Sequence, residues 1–173
     1  MITLRAATIN DLQLLRYWDT KKHVIACDPD TDWDWEKELK RCPKWREQLI
    51  AELNDEPIGF IQIIDPDKEE THYWGDIGPF KKAMDIWIGE EYNLNKGYGT
   101  IIMKLAIQRC LSNPAIDGIL IDPLKSNRKA HRFYERLGFE FVEERVFDAI
   151  PCYIFELTRP GYFKNNETSI THG

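Results

Sequence analysis

Six consecutive residues, Asn95-Lys96-Gly97-Tyr98-Gly99-Thr100, carry the clearest mark of ligand chemistry in this chain. An apolar run, Met84 to Ile88, leads into them, and an apolar-periodic segment, Ile101 to Leu111, leads out. A strand, a tight glycine turn and a helix leave free backbone N–H groups at a helix N-terminus. Such a terminus carries roughly half a positive charge and binds phosphate. Gly97 and Gly99 have no Cβ to hold a ligand away, while Lys96 adds a cation and Thr100 a hydroxyl. Two carboxylates stand out by their surroundings. Asp85 lies inside the apolar run, and Asp122 closes a second one that starts at Gly118. A lone carboxylate there is costly without a partner; either a Lys or Arg side chain or a cationic ligand would serve. A third cluster, Asp28-Pro29-Asp30-Thr31-Asp32-Trp33-Asp34-Trp35, interleaves four carboxylates with aromatics.

The chain that must position these groups has 173 residues, enough for one domain with a proper core. It is 43% apolar and 30% charged, the balance of a soluble globular protein, and no apolar run approaches the roughly 18 residues of a membrane span. No basic-then-apolar leader opens the sequence. Cys27, Cys42, Cys110 and Cys152 are scattered, so reduced thiols in a cytoplasm are expected. The net charge of −6 is uneven: residues 1–95 hold 20 acidic and 12 basic side chains, a balance of −8, whereas residues 96–173 hold 9 and 11, a balance of +2. The acidic part should attract cations, and the mildly basic part tolerates a phosphate-bearing ligand. No basic stripe marks a nucleic-acid partner. His23, His72, His131 and His172 do not cluster with Cys or Asp at ligand spacing, so no metal is expected.

Ile2 to Ala7 reads as a first strand. Thr8-Ile9-Asn10-Asp11 reads as a partial capping box, opening a helix whose stripe is Leu12, Leu14, Leu15 and Trp18. Lys21 to Ile25 continues as a short helix or turn, and Trp35 to Arg41 as another helix ended by Pro43. Trp45 to Leu53 and Ile58 to Ile64 flank the turn Asn54-Asp55-Glu56-Pro57 as a hairpin. Asp65 to Phe80 is a long polar loop carrying Tyr73, Trp74 and Asp76, of a length that is often functional. After the glycine turn come a helix to Leu111, a strand from Gly118 to Asp122, and a helix Asn127 to Leu137. Ser126 is its expected cap, and Gly138 its terminating glycine. Two strands to Thr158 follow, then a polar, frayed tail from Gly161. The order predicts an α/β fold: one domain over residues 1–160 with a mixed, mostly antiparallel twisted sheet flanked by helices, and a C-terminal tail over 161–173. The segment from Met84 to Asp122 is its strand–helix–strand unit, with parallel strands and a right-handed crossover. Ligands on such sheets bind beyond the carboxyl ends of the strands, where Gly97 and Asp122 both fall.

The glycine turn and the block Ser126-Asn127-Arg128-Lys129-Ala130-His131-Arg132-Phe133-Tyr134-Glu135-Arg136-Leu137-Gly138-Phe139 together resemble the acetyl-CoA-binding core of the GNAT N-acetyltransferase superfamily. Its Gln/Arg-x-x-Gly-x-Gly/Ala turn grips pyrophosphate, and its Asn-x-x-Ala-x-x-x-Tyr-x-x-x-Gly-Phe helix flanks the pantetheine. This chain departs at one place: Leu94 stands where Gln or Arg is usual. Backbone N–H groups make most of the grip, so binding is still implied. Within the superfamily the chain looks most like the aminoglycoside 6′-N-acetyltransferases. The carriers are Asp85 twelve residues before Gly97, the Leu-x-Lys-Gly-x-Gly-Thr loop, Asp122-Pro123, Ser126-Asn127-x-x-Ala130, and the early Leu4-Arg5 and Asn54-Asp55-Glu56-Pro57-Ile58-Gly59.

The resemblance implies acetyl transfer from acetyl-CoA to the 6′-amine of an aminoglycoside, conferring resistance. The open alternatives are another amine (a polyamine, a siderophore precursor or a protein N-terminus) or a CoA-binding module without catalysis. Tyr134 is the implied general acid, since a phenol with pKa near 10 keeps its proton at neutral pH and can give it to the departing thiolate. Either Asp85 or Asp122 would take the amine's proton. The implied cofactor contacts are Trp87, Ile88, Lys96, Gly97, Tyr98, Gly99, Thr100, Asn127, Lys129 and Ala130. The implied acceptor contacts are Asp30, Asp32, Trp33, Trp74, Asp76, Asp85 and Asp122, through charge-assisted hydrogen bonds and cation–π contacts. Expected partners are acetyl-CoA and a cationic amine, without nucleic acid, membrane or metal, in a monomer or homodimer.

Overall fold

The structure is a computed structural model that describes residues 1–29 and 33–170, with side chains through residue 166. Asp30 and Asp32 lie outside the described residues. The strands are β1 (Ile2–Ala6), β2 (Arg46–Leu53), β3 (Glu56–Ile64), β4 (Lys81–Ile88), β5 (Gly118–Ile121), β6 (Glu140–Phe147) and β7 (Ile150–Thr158). The helices are α1 (Leu12–Trp18), α2 (Lys22–Ile25), α3 (Trp35–Arg41), α4 (Tyr98–Leu111), α5 (Arg128–Arg136) and α6 (Arg159–Ile170). The sheet order is β1-β2-β3-β4-β5-β7-β6. β4 and β5 pair in parallel, whereas β1–β2, β2–β3, β5–β7 and β6–β7 are antiparallel, which gives the mixed α/β sheet expected from the sequence.

The chain resolves into two compact units, Met1–Ile64 with Asp85–Ala106, and Asp65–Met84 with Ile107–Gly173. In the first, the capping box forms as the sequence predicts. Asp11 accepts from the Thr8 N–H at 2.7 Å, and Thr8 Oγ1 accepts from the Asn10 N–H at 3.3 Å. Arg5 clamps the same Asp11 with two nitrogens at 2.8 and 2.9 Å, so β1 is tied to the start of α1. The β2–β3 turn is tighter than the four residues expected. Asn54 and Asp55 both take positive φ, 51° and 70°, which matches the twist of the flanking strands, and Glu56 and Pro57 join β3. Opposed residues Ile50 and Phe60 share one face of the sheet. That face is covered by Leu15 and Trp18 of α1, Val24 of α2, and Trp35 and Leu39 of α3, all buried, in one core with Trp87 of β4. On the opposite face, Ile102 of α4 reaches the backbone at Gly59.

In the second unit, all four residues of β5 are buried. Lys81 of β4 pairs with Asp117 at 2.8 Å and with Glu156 of β7 at 2.6 Å. Helix α5 is capped by Asn127, not Ser126: the Asn127 Oδ1 accepts from the Ala130 N–H at 3.1 Å. It ends at Gly138 with φ +93°, where the Phe139 N–H returns to the Tyr134 carbonyl and the Gly138 N–H to the Glu135 carbonyl. This closure brings the rings of Tyr134 and Phe139 to 5.8 Å. The segment expected as a frayed tail is helix α6. Its composition is polar, but Arg159 anchors its start by donating to the carbonyls of Ile116 (2.7 Å), Asn113 (2.6 Å) and Leu111 (3.0 Å). Pro160 in the first turn costs no hydrogen bond.

Candidate active site

In the first unit, β4 enters the glycine turn under close restraint. The His23 Nε2 lies 2.8 Å from the Ile88 carbonyl, Lys21 pairs with Glu90 at 3.0 Å, and the Gly89 N–H donates to the Ile58 carbonyl. The turn itself holds Asn95 at φ +60° and Gly97 at φ +79°. Lys96 and Gly97 are exposed, and no atom lies within 4 Å of where a Gly97 Cβ would project. Helix α4 begins at Tyr98, with its first turn of N–H groups, Tyr98, Gly99 and Thr100, facing outward from the intrahelical ladder. An open, cationic helix start of this kind fits a pyrophosphate. Lys96 Nζ also lies 5.7 Å from the Tyr92 ring.

Asp85 sits two residues before Trp87 on the same face of β4. Its Oδ2 accepts from the Gln62 Nε2 at 2.6 Å, and among the described residues no Lys or Arg pairs with it. Of the two partners open to it, the ion pair is therefore not formed. Part of the residue reaches solvent, yet burial of the carboxyl pushes its pKa up to about 6 against the lowering effect of Gln62, with the Asp28 charge adding to the rise. Asp19 is also pushed up, chiefly by burial and secondarily by Asp28, although it accepts from the Trp35 indole N–H. Asp28 accepts from the Trp33 indole at 3.1 Å. Trp33 stacks on Trp35 at 5.0 Å and lies 6.5 Å from Trp87, which in turn stacks on Phe60 at 4.4 Å. Three carboxylates thus share a tryptophan wall. The raised proton affinities of Asp85 and Asp19 come chiefly from burial, with the Asp28 charge adding to both, an environment that favours an arriving positive charge.

In the second unit, Asp122 lies just past β5 and accepts from the Tyr73 hydroxyl at 2.5 Å. Tyr73 stacks on Phe147 at 4.1 Å, and Trp74 packs edge-on to both. The Trp74 carbonyl accepts from Arg145 at 2.9 Å, and Glu69 accepts from the N–H groups of Thr71 and Tyr73, so the polar loop is ordered around its aromatics. Asp122 also reaches the buried Cys152 thiol, whose pKa is pushed up to about 11, first by burial and then by that charge. Tyr134 is 8% exposed, between Phe133 and Phe139.

A family model described as an acetyltransferase (GNAT) domain matches residues 8–147. The chain belongs to this acetyltransferase family. The acetyltransferase is similar to the aminoglycoside N(6′)-acetyltransferases type 1 of Klebsiella pneumoniae and Serratia marcescens. It is 28% identical to each over 153 residues, across 80% of this chain and 74% of theirs. Its structure is similar to that of aminoglycoside acetyltransferase AAC(6′)-Ib in complex with coenzyme A. The TM-score is 0.85 at 25% identity, over 96% of this chain and 99% of that one. The same figures describe the likeness to that protein in complex with coenzyme A and kanamycin.

Of the residues named from sequence, Asp85, Trp33 and Trp87 meet in the first unit of the acetyltransferase, and Asp122 meets the loop around Trp74 in the second. Trp87 and Trp74 are buried, at 7% and 4% exposure. Asp76 and Lys129 are exposed, and the Asn127 side chain is occupied in capping α5. Sequence reasoning missed Asp19, Gln62 and Phe147 as members of these clusters, and it marked Asp28 and Tyr73 only as parts of the acidic segment and the polar loop, not as contacts. Gln62 had a signal: it is the one polar side chain inside the apolar run Ile58 to Ile64.

Proposed function

We propose that this acetyltransferase moves the acetyl group of acetyl-CoA onto the 6′-amine of an aminoglycoside and thereby confers resistance. The observation that carries the reading is Asp85, a desolvated carboxylate with no cationic side chain paired to it among the described residues, beside the Asp28 charge and near the tryptophan wall. A polycationic acceptor is the partner such a place lacks. It is supported by relatives named aminoglycoside 6′-N-acetyltransferases and by the kanamycin complex of a similar structure.

Acetyl-CoA supplies the activated acyl group as a thioester. The Lys96–Thr100 turn holds its pyrophosphate through backbone N–H groups and Lys96. Asp85, ionised above pH 6, accepts a proton from the bound ammonium so that the amine is free to attack. In the first unit Asp28 is a carboxylate for a further ammonium group and Trp33 offers a cation–π face; in the second, Asp122 is the carboxylate suited to a cation. Tyr134 keeps its proton until the thiolate departs and then donates it. The enzyme works in the cytoplasm as a monomer or homodimer. The test is a thiol-release assay with acetyl-CoA and kanamycin or tobramycin, run beside spermidine and a peptide. Turnover confined to spermidine or the peptide overturns the reading.

A further inference from the structure

We propose that Gln62, backed by Gln48, is a positioning residue that holds Asp85 as a carboxylate. Gln62 is 3% exposed, in the middle of β3, and its Nε2 donates to Asp85 Oδ2 at 2.6 Å. An amide can donate to a carboxylate with no change of charge, so it favours the ionised form without offering Asp85 a competing cation. The remaining oxygen, Gln62 Oε1, is buried without a partner among the described residues. Directly opposite on β2 is Gln48, whose Nε2 is a buried donor that likewise has no partner among the described residues. Opposed residues of an antiparallel pair share a face, with Cβ atoms about 5 Å apart. One orphaned acceptor and one orphaned donor therefore stand across from each other, in line with Asp85. The two atoms are not hydrogen-bonded to each other; a side-chain rotation that carries the Gln48 donor onto Oε1 would polarise the Gln62 amide and strengthen the bond from its Nε2 to the carboxylate. Gln48, Gln62 and Asp85 so form a row across three adjacent strands. The charged group whose field reaches Asp85 is Asp28, and it acts together with burial against ionisation. The Gln62 amide is the opposing influence.

The consequence for catalysis rests on the proposed role of Asp85 as base, and the experiment separates the two. The full chain and its Gln62→Leu, Gln62→Asn, Gln48→Leu and double-leucine variants are compared, each confirmed folded by its thermal transition. The Asp85 carboxyl is titrated by carbon NMR, assigned with Asp85→Asn, and kcat/KM for kanamycin is measured from pH 5 to 9. Loss of the donor in Gln62→Leu moves the Asp85 midpoint up by about one pH unit, so kcat/KM at pH 5.5 falls about tenfold further than at pH 8.5. Gln62→Asn, one methylene too short, moves it the same way. Gln48→Leu gives a smaller upward shift that adds nothing to Gln62→Leu. An unmoved midpoint in both Gln62 variants overturns the proposal whatever the activity does, and a fully additive Gln48→Leu shift removes Gln48 from it. A moved midpoint with an unmoved activity limb upholds the proposal and removes Asp85 as the base.

Discussion

The Tyr73 hydroxyl donates to Asp122 Oδ2 across 2.5 Å and joins residues 49 apart in the chain. The bond fixes the carboxylate from a loop whose own aromatics are packed, Tyr73 on Phe147 and Trp74 edge-on to both. Asp122 is thereby presented in one orientation, as a residue that binds a cation should be. Asp122→Asn is expected to raise KM for kanamycin by tenfold or more while changing KM for acetyl-CoA by less than about threefold, since a charge-assisted hydrogen bond is worth about 1.5–3 kcal/mol. Equal effects on both constants would refute an acceptor role.

Tyr134→Phe keeps the ring contacts with Phe133 and Phe139 and removes only the hydroxyl. The expected loss in kcat is about 10²–10⁴-fold, with KM for acetyl-CoA nearly constant. Thiol-release kinetics within threefold of the parent enzyme would show that another group protonates the leaving thiolate.

Asp85 links stability to pH. Its carboxyl binds a proton more tightly in the folded chain, at about 6, than at the ordinary 3.8. Ionising it therefore costs the folded state, and its contribution falls as pH rises through the window from 3.8 to about 6. Asp85→Asn removes that cost above pH 6 and should stabilise the fold there by on the order of 2–3 kcal/mol, with little gain at pH 4. Urea midpoints at pH 8 and pH 4 measure the difference, and the same variant should lack acetyl transfer.

Gly89 packs against Trp18 so closely that a Cβ would lie 2.0 Å from the indole Cε2, and Trp18 is fully buried. Gly89→Ala forces the indole or the strand end to shift. It should destabilise the chain by about 1–3 kcal/mol or more, visible as a drop in Tm. Because Ile88 and Glu90 on either side are held by His23 and Lys21, the glycine turn should loosen too, raising KM for acetyl-CoA.

Gly97 tests the cradle without touching the core, since open space surrounds the missing Cβ. Its φ of +79° costs an alanine about 1–2 kcal/mol. Gly97→Ala should raise KM for acetyl-CoA while leaving KM for kanamycin within about twofold. An unchanged acetyl-CoA KM would place the pyrophosphate elsewhere.

The sequence by itself determined the elements and their local closures: the Thr8–Asp11 box, the α5 block through Gly138, the β2–β3 hairpin and the glycine turn after an apolar strand. Each is decided by contacts within a few residues, where hydrophobic period, capping side chains and glycine conformation suffice to within a residue or two: the α5 cap is Asn127 rather than Ser126, and the hairpin turn narrows to Asn54-Asp55. It also marked Asp85 and Asp122 as carboxylates needing partners, because burial of a charge is legible from the residues around it. Which partners they take was decided only by the tertiary structure. Gln62 reaches Asp85 from 23 residues away and Tyr73 reaches Asp122 from 49, and both pairings depend on how distant segments are brought together. The tail that composition marked as frayed became α6 because Arg159 meets carbonyls more than 40 residues earlier, a stabilisation that no local propensity contains. Trp87, which only the family resemblance implied as a cofactor contact, has its ring in the core, because β4 alternation puts it on the face that α1 and α3 cover.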